Sequence, residues 1–396
     1  MNAAAPLKYP NRPAGKRIAL VLQGGGALGA YQAGVCQALV EHGYCPDWVA
    51  GTSIGSINGG IITGNAPEKR VERLEEFWRN VSREDLWDIA GTTDAAREIY
   101  SSLSVMSAML AGQPGFFMPR PLNLLKMFPI GSAETASYYD TSPLRGTLEH
   151  LIDFDLINSG SVRLSLGAVN LTTGVLRYFD SKTDRICPEH IMASCALPPG
   201  FPAVRVEGEL YWDGGIYSNT PLEVVLDNMP RVDTLCFMVA LFNPRGPEPR
   251  SIPEVETRHK DIVYATRALE HVQTFWKTHN LRRTVRSLFA LLPQELRDDP
   301  EVQAMADLGC NTAMHIVQII YPTRNWELAF KDVDFSWAAI RERWDCGYRD
   351  ATRMLEWAPW ERPVPQHMGV VVHTLPPEQS DQEVGNQGYL EQYADY

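Results

Sequence analysis

Short apolar runs alternate along this chain with longer stretches in which apolar residues recur at helical spacing. The first run, Lys16-Arg17-Ile18-Ala19-Leu20-Val21-Leu22, predicts a strand. Residues 30–41 follow as a helix, with Tyr31, Val35 and Leu39 at i, i+4 and i+8. Asp47-Trp48-Val49-Ala50 predicts a second buried strand, and residues 54–62 a second helix. Residues 162–170 and 175–179 flank Thr172-Thr173-Gly174, the pattern of a hairpin. Residues 234–241 are apolar on both faces, as a central strand of a covered sheet is. Strands alternating with helices predict an α/β fold, a three-layer α/β/α sandwich with a mostly parallel central sheet.

The pattern changes after residue 245. Residues 254–292 contain no Gly or Pro and read as one long helix or two, with Ile262, Ala265, Leu269, Val272 and Trp276 as the apolar stripe. Residues 316–321 read as a strand. Asp334-Phe335-Ser336 then caps a helix that carries Trp337, Ile340, Trp344, Tyr348, Ala351 and Leu355 on one face. The expected organisation is a flexible tail at 1–15, a main domain at 16–245, a mostly helical extension at 246–374 packing on it, and an acidic flexible tail at 375–396. Within the main domain, residues 101–130 interrupt the alternation. They hold Met109, Phe116 and Phe117 among many apolar residues, and Pro114, Pro119, Pro121 and Pro129 prevent one continuous helix. Such a segment serves as a lid or interfacial patch, or simply packs on the domain.

Composition narrows the setting. A net charge of −12 argues against a general nucleic-acid binder. Seven cysteines show no C-x-x-C pair and no metal-ligand spacing, and with no leader pattern they read as reduced thiols of a cytoplasmic protein. No run of eighteen apolar residues exists to span a membrane as a helix. Between Arg258 and Arg286 there are seven Lys/Arg and two Asp/Glu. A solvated charged face is the expected role, with peripheral contact to anionic headgroups as the alternative.

Three glycine-rich segments carry the chemistry. Gly51-Thr52-Ser53-Ile54-Gly55 is a G-x-S-x-G segment between a strand and a helix, the setting that strains a Ser and exposes its hydroxyl. Upstream, Gly24, Gly25 and Gly26 lead into Ala27-Leu28-Gly29 and a helix start, where unpaired backbone N–H groups favour an anion. Next to a serine nucleophile that anion is the oxyanion of an acyl intermediate. The loop also satisfies G-x-G-x-x-G through Gly24, Gly26 and Gly29. A dinucleotide site wants an acid at the end of the second strand, and Asp47 lies at its start. The third segment, Asp213-Gly214-Gly215, offers a carboxylate at a sharp turn. Desolvated and within reach of Ser53, it can act as base; alone it reads equally as a turn between strands.

Taken in this order, the three segments resemble the patatin-like phospholipases, lipid acyl hydrolases with a Ser–Asp dyad and no histidine. The resemblance runs from about residue 16 to 243 and includes the segment 193–202 ahead of the Asp. It implies Ser53 as nucleophile, Asp213 as general base and the amides of Gly24, Gly25 and Gly26 as the oxyanion hole, supported by Gly29, Gly51, Gly55, Gly214 and Gly215. It implies a lipid ester, phospholipid first, as substrate, and no cofactor or metal. Many members carry Arg or Lys where this chain has Leu28. The C-terminal extension resembles one in a bacterial subset of the family. Two alternatives stay open: a Ser–Asp–His hydrolase drawing on His259, His271, His279, His315, His367 or His373, and a scaffold of the same fold without chemistry.

Overall fold

A computed structural model describes residues 15–83, 94–121, 131–322, 327, 330–365 and 367–375. Residues 1–14 of the tail expected at 1–15, residues 122–130 of the apolar insertion, and residues 376–396 of the tail expected at 375–396 lie outside the described residues.

Strand β1 (Arg17–Leu22) explains the layering. Its alternate residues Ile18, Leu20 and Leu22 join one apolar core, while Ala19 and Val21 join a second. A strand buried on both faces must carry a cover on each, which makes three layers. On one side of β1 lies β2 (Trp48–Gly51), in parallel register Leu22↔Gly51. Beyond β2 comes β3 (Arg163–Asn170), which forms the expected hairpin with β4 (Leu176–Asp180). The antiparallel strands β5 (Val204–Val206) and β6 (Glu209–Asp213) close this edge through β6 on β3. On the other side of β1 lies β7 (Thr234–Ala240), buried along its whole length.

The extension does more than pack on this sheet: it enlarges it. β8 (Met314–Ile320) pairs in parallel with β7, and β9 (Val370–Thr374) pairs in parallel with β8. The nine-stranded sheet therefore runs β9-β8-β7-β1-β2-β3-β6-β5, with β4 also on β3. The extension is thus mostly helical, with two strands that join the sheet. β8 finds its N–H and C=O partners at the open edge of β7, and β9 finds them on β8.

Helix α1 (Ala30–Glu41) lies where the spacing of Tyr31, Val35 and Leu39 places it, and α2 (Ile54–Thr63) is buried throughout. Two helices of the extension matter for the site: α3 (Ile252–Leu291), one unbroken element of 40 residues, and α4 (Trp337–Trp357). On α3 the buried stripe is Thr257, Asp261, Ala265, Ala268, Val272, Phe275 and His279, while Ile262 is exposed. Ala265 and Val272 of the expected stripe are buried and Leu269 and Trp276 partly so, but the buried face also takes in polar members that found partners: Asp261 with Lys331, and His279 with the Thr312 carbonyl. Nor is the basic stretch of α3 a bare charged face. Arg258 donates to the Asn243 and Pro244 carbonyls, Lys260 to Asp332 and Arg286 to Asp307.

α4 packs its apolar face on α1, as its stripe predicts. The crossing is close enough that a Cβ on Gly347 would sit 2.1 Å from the Tyr31 carbonyl, and one on Gly34 1.9 Å from that of Trp344. Around it, Tyr31 Oη donates to Asp350, Trp344 Nε1 to Gln37 and Tyr348 Oη to Glu41, each at 2.7 Å. Among the described residues no helix is long and apolar enough to cross a membrane.

Candidate active site

The sheet brings the three glycine segments together. The loop after β1 and the turn after β2 leave the same end of two adjacent parallel strands. On β3, Leu166 stands opposite Gly51 and Ala168, two residues further, stands opposite Asp213. Antiparallel β6 thus delivers its last residue just beyond the carboxyl end of β2.

Ser53 sits at the N-terminus of α2 with φ 55° and ψ −126°. A non-glycine residue rarely takes this conformation, and it costs of order 1–3 kcal/mol unless the surroundings enforce it. They do so here. The Ser53 N–H donates to both the carbonyl and Oγ of Ser194, each at 3.2 Å. Ser194 Oγ is itself held by Ser56 Oγ and the Gly167 carbonyl, both at 2.6 Å. The flanking glycines make room for the turn. A Cβ on Gly51 would lie 2.3 Å from the Gly55 carbonyl, and one on Gly55 2.3 Å from that of Leu22. Cys195 Sγ donates to the Ser53 carbonyl at 3.1 Å; complete burial pushes this thiol well up, so it stays protonated.

Asp213 is 1% exposed. Its Oδ1 accepts from the Gly215 N–H at 2.7 Å, while Oδ2 is buried with no hydrogen-bond partner among the described residues. Burial raises the carboxyl to about 7, and the Gly215 amide and the Ser53 hydroxyl pull it partly back. No hydrogen bond joins the Ser53 hydroxyl to the carboxylate, and both groups line the same cavity.

The glycine loop is fixed by two side chains whose part the sequence alone leaves unassigned. Gln23, fully buried, donates to Thr220 Oγ1 at 2.8 Å and the Tyr264 carbonyl at 3.1 Å, and accepts from the Phe242 N–H at 3.0 Å. Asn219 Nδ2 donates to the Gly24 carbonyl at 3.0 Å, and the Gly24 N–H returns a bond to the Asn219 carbonyl at 3.0 Å. The Gly24 amide is therefore occupied. Those of Gly25 and Gly26 donate to nothing among the described residues. Gly26 takes φ 53°, and a Cβ there would meet the Asp332 carbonyl at 2.2 Å.

Ser53, Asp213 and Gly24 to Gly26 line one cavity of about 480 Å³. Met109, Phe116 and Phe117 of the apolar insertion form part of its wall, so the described part of that segment contributes to the site. The extension supplies another wall with Lys260, Tyr264, Phe330, Asp332 and Phe335. Nothing in the sequence marks those five, because they come together only by folding. Asn219 was within reach, lying four residues after Gly215. All nine histidines are described, and none lines the cavity. His271 pairs with Glu223, and His315 stacks on His373.

The sequence pattern of the patatin-like phospholipase family matches residues 20–226, just over half of the chain, and the chain belongs to that family. A second pattern, described as patatin phospholipase, matches residues 262–367, so the extension has a family signature of its own. Among curated relatives, the patatin-like phospholipase domain-containing protein ZK370.4 of Caenorhabditis elegans is 45% identical over 73 residues, 18% of this chain and 5% of the relative. Lysophospholipase NTE1 of Eremothecium gossypii is 39% identical over 88 residues, 20% of this chain and 6% of the relative. The chain thus matches only about 5–6% of the length of these relatives. The crystal structure of VipD from Legionella pneumophila covers 87% of this chain and 67% of its own, with a TM-score of 0.38 and 15% identity, too low to carry an argument.

Proposed function

We propose that the chain is a serine lipid acyl hydrolase of phospholipase A or lysophospholipase type, working through a Ser53–Asp213 dyad. Ser53 Oγ attacks the ester carbonyl and passes its proton to Asp213. The negative charge on the carbonyl oxygen falls to the Gly25 and Gly26 amides, the loop donors with no other bond. Collapse of the tetrahedral intermediate expels the alcohol, which takes the proton from Asp213 and leaves an acyl-Ser53 ester. Water, deprotonated by Asp213, then releases the fatty acid and restores both side chains.

The observation that carries this reading is the unpartnered, buried Asp213 carboxyl beside a strained serine in one apolar cavity. Its raised pKa suits a general base near neutral pH. The cavity's aromatic and Met lining suits acyl chains, and the family and the relatives named lysophospholipase support the substrate class. Water-exposed lipid and peripheral membrane contact belong to the same proposal.

A fluorophosphonate probe tests it. The intact chain should label at Ser53 and Ser53→Ala should not. Absence of labelling in a folded chain would favour the scaffold alternative. Near-native hydrolysis by Asp213→Asn, together with loss on replacing a histidine, would restore the triad.

A further inference from the structure

We propose that Lys260 and Asp332, both supplied by the C-terminal extension, form the subsite for a zwitterionic phospholipid headgroup. The inference rests on the acyl-hydrolase reading and adds the substrate class. Both residues line the cavity that holds Ser53 and Asp213, and Lys260 is the only Lys or Arg among the described lining residues. Lys260 Nζ lies 2.7 Å from Asp332 Oδ1, and the two side chains are 27% and 20% exposed, open to an entering ligand. The pair stands next to the reaction centre, because the Asp332 carbonyl packs on Gly26 of the oxyanion loop. The loop itself brings no cation: Leu28 is fully buried in the apolar core.

A glycerophospholipid carries its ester carbonyls and its phosphate on one glycerol unit. With the carbonyl at Ser53, a phosphate reaching Lys260 takes a charge-assisted hydrogen bond from its ammonium. Asp332 then faces the headgroup's own ammonium. Tyr264, Phe242 and Phe330 line the same cavity, and aromatic faces suit a quaternary or primary ammonium. The pair has no net charge, which matches a headgroup with none. A headgroup without an ammonium brings Lys260 the same phosphate but leaves Asp332 facing it with no cation of the ligand's own.

A merely structural role for the pair is already filled. Lys331, next to Asp332, donates to Asp261 on the same helix as Lys260 at 2.9 Å, with both side chains at most 2% exposed. That buried bond anchors the 330–335 segment independently of the partly exposed Lys260–Asp332 pair.

The test uses the full chain and three monomeric substrates with the same short acyl chains: phosphatidylcholine, phosphatidylglycerol and diacylglycerol. The intact chain should prefer phosphatidylcholine. In Lys260→Met the ratio of kcat/KM for phosphatidylcholine over diacylglycerol should fall roughly tenfold or more, chiefly through KM, and Lys260→Arg should recover part of it. In Asp332→Asn the ratio for phosphatidylglycerol over phosphatidylcholine should rise several-fold. Equal loss on all three substrates in Lys260→Met, with no shift of selectivity in Asp332→Asn, overturns the subsite and leaves the hydrolase reading standing. No turnover of any substrate by the folded intact chain overturns the hydrolase reading, and the subsite falls with it.

Discussion

Asp213, beneath the cavity, and Asp261, on the long helix of the extension, are each 1% exposed, yet only Asp261 has a cation beside it. Asp261 meets Lys331 at 2.9 Å, and the pair fastens the 330–335 segment of the cavity wall to the long helix. Asp213 has one backbone donor and an oxygen left over. A buried carboxylate that is paired serves as an anchor, because its charge is already answered. One left unpaired keeps its basicity, at a cost in stability that the rest of the fold must carry. The two regions thus differ in kind: the carboxylate of the extension is answered by a cation and, among the described residues, the one at the sheet's carboxyl end is not.

Four changes would break or sharpen that contrast. Asp213→Asn should have the largest effect, lowering kcat by about 10²–10⁴-fold. In the intact chain kcat/KM should rise with pH and level off above about 7, since the base must be ionised and its carboxyl sits at about 7. The Asn variant should lack that limb, and a pH profile of both enzymes measures it. Stability should move the other way. A carboxyl raised from 3.8 to about 7 binds its proton more tightly folded than unfolded, so the stability it contributes at low pH is lost as pH rises through 7. Asp213→Asn should therefore raise Tm at pH 8 relative to the intact chain; a fall there would contradict an unpaired, desolvated carboxylate.

Lys331→Met should do the opposite kind of damage. It strands Asp261 without its partner and should cost about 3–5 kcal/mol, read by urea denaturation, with Lys331→Met/Asp261→Leu recovering much of it. If the single change left stability untouched, the anchor role would be wrong. Gly347→Ala should cost about 1–3 kcal/mol, because the new methyl meets the Tyr31 carbonyl and must push α4 off α1. The smallest effect belongs to Ile262→Gln, at an exposed position of α3, where stability should change by less than about 0.5 kcal/mol. A large loss would mean that Ile262 belongs to the buried face, where the sequence alone puts it.

The local elements of the main domain were legible because each is encoded within a few residues. The strand at β1, the helix at Ala30–Glu41 and the elbow at Ser53 follow from apolar spacing and from glycines on either side of a tight turn. Asp213 was legible as a turn carboxylate, and its role only through family likeness. The extension was harder to read. A strand such as Met314–Ile320 is visible as an apolar run, but which edge it joins depends on a partner 80 residues away at Thr234. The buried stripe of α3 contains Asp261 and His279, which a hydrophobic pattern places outside by default.

The sequence by itself determined the order of the chemical groups, the strand–loop–helix units that carry two of them, and the mostly parallel sheet, since these rest on steric and hydrophobic preferences of neighbouring residues. Only the tertiary structure decided that, among the described residues, Asp213 is buried without a cation, that the Gly24 amide is taken by Asn219 while its neighbours are not, and that Lys260 and Asp332 share the cavity with Ser53. Each of those is a matter of desolvation or contact between distant segments. Local sequence cannot fix it, because the burial of a charge depends on everything that surrounds it.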